Sequence, residues 1–555
     1  MLPSTLAKRL WLLLFLAVIA FYLYGLGNLP LVGPDEPRYA QVAREMFLRG
    51  DLITPTLGGH TWFEKPVLLY WMIMASYRLF GDAEWAIRLG PALSGLATIG
   101  AVFWLGRRIE TASLDSGLRE FGQWSALVAA TSLGIIVFSR GASFDIVVTM
   151  PVTWAVSFFL AAQLRSNERH QQLLLAGFYV FVGVALLAKG LVGIVIPFGV
   201  GGAFYLFRRE LPPRSFWMSL LWGLPLAAAI ASIWYAPVIA RHGWPFIDEF
   251  FIQHHFARYV SNKYRHPQPV YFYFVILAPL TLPWTAFLVD GLIKIRHWRW
   301  RAPNPDEKAR VCAFAWLLVP LIFFSFSGSK LPGYILPVVP AAALIAGERL
   351  TRFAAGASGG LRAMQVTGAI LLVFAIGGFV YARQTGNLSS ACAIAIVLPL
   401  LAGGLFAVFV THRRATAAIL IICATLASTA ISSSCGVEQI GARESVRDLI
   451  KLADSRGYVS SPVYILHRLD RTAEFYAAGR LPYGADGEPL RFEGVNEVEA
   501  AARQHQGPVL VLVPLEHVGQ LTDYPSLKAE ALGTNGRFAI VAVSLANADF
   551  DQRSQ

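Results

Sequence analysis

Long apolar runs separated by short polar loops fill the chain from its first residues to Cys435. They lie at Leu10–Leu26, Trp85–Gly106, Gly122–Phe138, Val147–Leu164, Leu173–Leu187, Leu191–Phe207, Phe216–Ile239, Val270–Ile293, Val311–Phe326, Tyr334–Ala346, Met364–Tyr381, Cys392–Val410 and Ala415–Ser433. A helix needs about 20 predominantly apolar residues to cross a bilayer. The pattern therefore predicts a polytopic α-helical membrane protein with about 13 transmembrane helices over residues 1–435, the shorter ones merged or tilted. Lys8 and Arg9 ahead of the first run resemble the start of a signal peptide, but no small-residue cleavage site follows, so the run reads as a retained anchor. From residue 436 to 555 the periodicity changes. Pro462–Leu466, Val509–Val513 and Phe538–Val543 read as buried strands, and Ala473–Ala478 and Asn496–Arg503 as helices, which predicts a small C-terminal α/β domain.

One segment, Pro66–Phe80, is apolar but brief, and its topology decides every later one. Cytoplasmic loops carry an excess of Lys and Arg. If Pro66–Phe80 does not cross, the stretches assigned to the inside hold 21 cations and the later short outer loops hold 8. If it crosses, the bias inverts. The segment is thus expected to lie along the outer interface as a juxtamembrane helix, within an external stretch of residues 35–82. An odd number of spans then puts the tail outside.

Composition agrees with this reading. Hydrophobic residues make up 55% of the 555 and charged residues only 15%, against roughly a quarter charged in soluble domains; mean hydropathy is +0.51. The tail holds 12 Lys and Arg against 16 Asp and Glu, a net −4, so the membrane part carries +16 of the overall +12. Orientation and anionic lipids account for that basic excess, and nucleic-acid binding is not implied. Fifteen Trp among 13% aromatic residues fit interfacial belts and contacts with sugars or lipids. Cys312, Cys392, Cys423 and Cys435 show neither metal-ligand spacing nor a disulfide framework and read as small packing residues.

Five unusual groups fall on the outer face. The first is Val32-Gly33-Pro34-Asp35-Glu36-Pro37-Arg38-Tyr39, where Gly and Pro hold two acids on a turn, or where Asp35 caps a helix starting near Pro37. The second is Phe63-Glu64-Lys65-Pro66, and the third is Arg140 with Asp145. The fourth runs from His254-His255 through Arg258 to Arg265-His266, and the fifth is Ser327-Gly328-Ser329-Lys330-Leu331-Pro332-Gly333-Tyr334. An ionisable residue at membrane depth is costly and marks a functional site by default. Asp145 fits that rule best, the alternative being an ion pair with Arg140. Lys189 either marks a tight external turn or reaches a phosphate.

Together these residues outline a chemistry. Asp35, Glu36, Glu64 and Asp145 can hold a cation, a metal or a developing positive sugar centre. Arg38, Lys65, Arg258, Lys330 and Lys189 can hold phosphates through charge-assisted bonds. Both sets at a lipid–water boundary suit glycosyl transfer from a lipid-linked phosphosugar. Glu84, His255 and His266 are a candidate zinc set, the alternative being histidines bonded to phosphate or backbone; no cofactor is required by the chemistry.

The Asp-Glu turn after the first span, Phe-Glu-Lys-Pro, Asp145 and Ser-Lys-Leu-Pro-Gly-Tyr, in that order, resemble the GT-C glycosyltransferases related to protein O-mannosyltransferases. Within them, the order is most similar to the bacterial lipid A aminoarabinose transferases, over nearly the whole chain. The resemblance implies a GT-C fold in the bacterial inner membrane with its active site facing the periplasm. It also implies transfer of 4-amino-4-deoxy-L-arabinose from undecaprenyl phosphate to lipid A phosphates, which lowers binding of polymyxin and cationic peptides. Asp35 would be the acid nearest the reacting centre and Asp145 the second, with Glu64 and Lys65 beside them. Lys65, Arg258 and Lys330 would hold phosphate; Tyr39 and Tyr334 would line the donor cavity; Glu36, Arg38, Lys189 and His255 would contact substrate.

Two alternatives remain open on sequence. The same fold can glycosylate a protein hydroxyl or another glycan. A lipid-linked sugar transporter is the other, although a carrier places its ionisable groups near mid-membrane on broken helices, whereas here they gather at the outer ends.

Overall fold

The computed structural model describes residues 4–113, 115–165, 167–257, 268–385, 388–436, 441–505 and 507–546. Among these, nine helices are long and apolar enough to cross a membrane, or ten with the pair Ser116–Thr131 and Leu133–Ser139, which bends by 59°. The other apolar runs become the helices Ser4–Leu23 and Val192–Arg208 and the broken pair Phe272–Leu280 and Thr285–Ile293. Each apolar run of the sequence thus has a helix or a broken helix, and the chain is a multi-pass membrane protein. Pro66–Phe80 forms the 13-residue helix Leu68–Phe80; at 1.5 Å per residue it reaches about 20 Å, short of a 30 Å hydrocarbon core.

The chain divides into two compact units. One comprises Met1–Leu26, Phe63–Met72 and Arg88–Ser432; the other comprises Gly27–Trp62, Ile73–Ile87 and Ser433–Gln555. The first is the helical bundle. Lipid tails are as apolar as leucine, so close backbone approach must hold its helices together. Leu361–Thr385 and Ser390–Val408 show how: a Cβ on Gly368 would stand 2.7 Å from the Gly404 carbonyl oxygen, and one on Gly404 2.9 Å from that of Gly368. The carbonyls left without partners at the end of the first helix are taken by arginines. Buried Arg88 donates to Leu26 (2.7 Å), and Arg140 donates to Phe21 (3.1 Å) and Tyr24 (2.8 Å).

In the second unit the tail forms a mixed five-stranded sheet. Its strands are Val463–Leu466, Arg491–Phe492, Val509–Pro514, Leu527–Thr534 and Phe538–Leu545. Val463–Leu466 pairs in parallel with Arg491–Phe492 and Val509–Pro514, and Phe538–Leu545 pairs antiparallel with Val509–Pro514 and Leu527–Thr534. Alternation sends Ile465, Leu510, Leu512 and Ile540 to one apolar cluster and Leu466, Val509, Val511 and Val541 to another. All of Val509–Pro514 is therefore buried. The three strands and two helices expected of the tail are present; the strands Arg491–Phe492 and Leu527–Thr534 and the helices Arg447–Ser455 and Val518–Thr522 are additions.

Gly27–Trp62 belongs to this unit through specific bonds to the tail. The Leu31 N–H donates to the Tyr476 hydroxyl (2.8 Å) and Arg44 donates to the Phe475 carbonyl (2.9 Å) while lying 3.7 Å from its ring. Glu45 collects the N–H groups of Gly58 (2.7 Å) and Gly59 (3.2 Å) and the Thr56 hydroxyl (2.6 Å). Gly58 must be glycine: its φ is 59°, and a Cβ would meet the Tyr483 ring at 2.5 Å.

The cysteines require a correction. Cys392 and Cys435 are disulfide-bonded, whereas Cys312 and Cys423 are free. Each of these two lies at the end of a membrane span, where spacing along the chain gives no sign of a bond.

Candidate active site

In the bundle, two helix ends bring an acid and an amine together. Asp145 lies in the first turn of Phe144–Gln163, where its N–H donates to the Ser143 hydroxyl oxygen (3.1 Å). Lys189 is the last residue of Glu168–Lys189, which ends on Gly190 at φ 65°. The Lys189 ammonium donates to the Asp145 carboxylate, and both side chains are less than a fifth exposed. The same ammonium stands 4.6 Å from the centroid of the Tyr334 ring. Arg140 is not the partner of Asp145, because it is spent on the carbonyls of the first helix. Nor does Lys189 merely mark a turn.

The fifth motif packs against this pair. Ser327-Gly328-Ser329-Lys330-Leu331 connects Pro305–Ser325 to a 3-10 turn at Pro332–Val338. Lys330 is buried, its ammonium donating to the carbonyls of Ser327 (2.7 Å) and Gln268 (3.0 Å). The Tyr273 hydroxyl donates to the Leu331 carbonyl (3.1 Å). Gly333 abuts Asp145: a Cβ there would overlap the carboxylate, lying 2.7 Å from both its Cγ and the Phe138 ring. Gly333 stands within the fifth motif of the sequence, but its contact with Asp145 could not be read there.

Glu64 and Lys65 form an ion pair at 2.8 Å, with both side chains mostly buried. The loop is docked by Phe63, whose ring packs against His242 and Phe246, and by the Phe63 N–H, which donates to Glu249 (3.2 Å). Burial, with Glu64 and Asp248 nearby, pushes the Glu249 carboxyl above its ordinary range, against the lowering effect of the Phe63 N–H. Glu249 was invisible in sequence because it follows a span with no motif around it.

In the second unit Asp35 and Glu36 do not sit on a bare turn, and Asp35 is not a cap. They open the helix Asp35–Arg49, after Pro34 with no side-chain cap. Pro37 is tolerated there because its missing N–H falls in the first turn. Asp35 is half-exposed and takes a bond from Arg38 at 2.8 Å. Arg38 also donates to the Pro34 carbonyl (2.7 Å) and lies 5.4 Å from the Trp62 ring centroid. Glu36 and Tyr39 are buried, Glu36 accepting from the Val32 N–H (3.3 Å).

Glu84, offered as a metal ligand, is held by the Tyr476 hydroxyl (2.8 Å) and Arg447 (3.2 Å). The side chain of His255, with Arg258 and His266, lies outside the described residues. Among the described residues no three His, Cys, Asp or Glu side chains converge on a metal-sized site.

Residues 64–239 match the dolichyl-phosphate-mannose-protein mannosyltransferase family. The undecaprenyl phosphate-alpha-4-amino-4-deoxy-L-arabinose arabinosyl transferase of Edwardsiella ictaluri is 32% identical over 378 residues, 66% of this chain and 64% of that protein. The corresponding transferase 1 of Pseudomonas fluorescens is 30% identical over 396 residues, 69% of this chain and 65% of that protein. The chain thus spans just under two thirds of the length of these relatives. The crystal structure of ArnT from Cupriavidus metallidurans bound to undecaprenyl phosphate superposes with a TM-score of 0.76 at 23% identity, covering 97% of this chain and 98% of that one. The GT-C fold expected from the motif order is the fold of this chain.

Proposed function

We propose that this chain, a homologue of the undecaprenyl phosphate–aminoarabinose transferases built on their GT-C fold, is a glycosyltransferase that moves 4-amino-4-deoxy-L-arabinose from undecaprenyl phosphate to lipid A phosphates. One observation carries the reading: the bundle's paired acid and amine, Asp145 and Lys189, sit at helix termini beside the Lys330–Tyr334 loop. A carrier would set such groups in mid-membrane breaks.

In the transfer, the bond between the sugar C1 and the undecaprenyl phosphate oxygen breaks, and a lipid A phosphate oxygen forms the new bond to C1. The acceptor is already an anion, so no strong base is needed. A carboxylate serves instead to hold the sugar ammonium and to stabilise positive charge developing at C1, a role open to Asp145 in the bundle and, taken separately, to Asp35. The departing phosphate requires cations; Lys189, which a phosphate can draw from Asp145, and Lys65, paired with Glu64, supply them.

The site is read as facing the periplasm from the inner membrane. Disulfides persist in oxidising compartments, and the bonded Cys392 and Cys435 lie at span ends that charge counting sets outside. Added cationic sugar on lipid A would reduce polymyxin binding.

The match to protein mannosyltransferases favours one second reading, a hydroxyl acceptor, for which Asp35 would act as base. Mass spectrometry of lipid A from cells with and without the gene decides. An aminoarabinose-sized gain on phosphate is expected; identical lipid A spectra under inducing conditions would reject the lipid acceptor.

A further inference from the structure

A basic cavity opens in the bundle at the end opposite Asp145. The helix Phe144–Gln163 measures the separation: Asp145 is in its first turn, and the carbonyl of Gln163 accepts from Lys308 (3.1 Å), in the first turn of Pro305–Ser325. Eighteen residues of helix extend about 27 Å. At that far end Lys294, His297, Trp298, Arg310, Arg349 and Arg352 line a cavity of about 280 Å³.

The cations are held in place. Arg310 is bonded to Glu348 (2.6 Å) and Glu307 (2.7 Å), and Arg352 to Glu348 (3.1 Å) and Asp115 (2.6 Å). Arg349 gives only its Nε to Asp290 (2.6 Å); among the described residues its two terminal nitrogens, and the ammonium of Lys294, have no acceptor. Glu348 is the one carboxylate in the lining, and with Glu307, Asp115 and Asp290 behind it balances the three arginines, so that Lys294 is the lining cation without a carboxylate partner among the described residues. Cations scattered only to satisfy the positive-inside bias would stand out in water. Here the side chains of Arg310, Arg349 and Arg352 are between 16% and 23% exposed, fixed by a chain of ion pairs and turned toward one hollow.

The rim adds a second feature. Val289 and Ile293, one turn apart on the outer face of Thr285–Ile293, are 48% and 56% exposed, and the chain runs on from Ile293 to the cavity-lining Lys294. An apolar outer helix face that ends at a cavity-lining cation, with Trp298 also in the lining, matches an acyl chain joined to an anionic headgroup. At ~30 Å³ per water the cavity has room for about nine waters, enough for a phosphate and its glycerol.

We infer that this cavity binds the phosphate headgroup of an anionic phospholipid from the adjoining leaflet. The site is separate from the transfer chemistry and does not depend on it.

The test uses the full-length protein in detergent, titrated with palmitoyl-oleoyl phosphatidylglycerol or phosphatidylcholine and read by native mass spectrometry. One phosphatidylglycerol should remain bound under activation that strips phosphatidylcholine. Lys294→Gln and Arg349→Gln should each weaken its retention by about tenfold, as expected for loss of one charged hydrogen bond. Because Arg349→Gln frees Asp290 and can destabilise the fold, the exposed Lys294→Gln change carries the test by itself. Equal retention of the two lipids, or unchanged retention in Lys294→Gln, overturns the proposal. Displacement of the lipid by millimolar inorganic phosphate at equal occupancy overturns the lipid assignment in favour of a free-anion site.

Discussion

Lys189 is bonded to Asp145 across 44 residues of sequence, joining the end of one membrane helix to the start of another. Taking two charges from water is repaid only while both are present, and removing one partner of a buried pair typically costs about 3 kcal/mol. Asp145→Asn or Lys189→Gln alone should therefore destabilise the protein more than the two changes together. Thermal unfolding in detergent measures this as a double-mutant cycle, with transfer activity lost in all three variants. Strictly additive destabilisation would show that the pair is not coupled.

Gly333 tests the placement of the same acid. A methyl group there must displace the Asp145 carboxylate or the Phe138 ring. Misplacing a reacting group by about 1 Å can cost on the order of 10²-fold in rate, so Gly333→Ala should lose about that much transfer while melting close to the parent. Unaltered activity would mean that Asp145 tolerates movement and does not act at a defined position.

How far the sequence revealed these relations depended on their physical origin. Apolar runs announce spans because lipid imposes length and composition, so each run met a helix. Strands of the tail were visible where both faces are buried, as in Val509–Pro514, and missed where exposed residues alternate, as in Leu527–Thr534. Asp145 stood out through its cost in an apolar setting. Its partner could not, because contact between Asp145 and Lys189 depends on helix packing that no local pattern encodes. The same holds for Glu249, which reaches Phe63 from 186 residues away, and for Tyr476, whose hydroxyl bonds Glu84.

Glu249 should reveal itself through pH. Its folded carboxyl is raised above the ordinary value of 4.5, so the folded state holds its proton more tightly than the unfolded chain does. Stability from this group is complete below 4.5 and declines as pH rises through the raised value. Glu249→Gln keeps an acceptor for the Phe63 N–H and removes the charge facing Glu64 and Asp248. It should flatten that decline, whereas Glu249→Ala should lose the anchor and lower transfer. Melting temperatures of the three proteins from pH 4 to pH 8 check this; parallel curves for parent and Gln variant would reject it.

Metal removal separates the phosphate chemistry from a zinc mechanism. On the proposed reading, in which the acceptor is an anion and lysines neutralise the leaving phosphate, EDTA treatment should leave the transfer rate intact. A loss of rate that zinc restores would return Glu84, His255 and His266 to the catalytic description.

Asp35 offers the cleanest separation of chemistry from stability. Its carboxylate is half-exposed, and its bond to Arg38 spans one helical turn at the surface. Exposed pairs of this kind contribute about 0–1 kcal/mol, and asparagine retains an oxygen to accept from Arg38. Asp35→Asn should thus melt with the parent. If Asp35 stabilises charge developing at the sugar carbon, removing its own charge should lower transfer by at least about 10²-fold, the scale seen when a preorganised electrostatic group is lost. Asp35→Glu, which keeps the charge but shifts it by one methylene, should fall between the two. Measured transfer to lipid A by purified protein in detergent ranks the three. An active Asp35→Asn enzyme would remove Asp35 from the proposed reacting centre. An inactive Asp35→Asn with active Asp35→Glu would assign the role to charge rather than to shape.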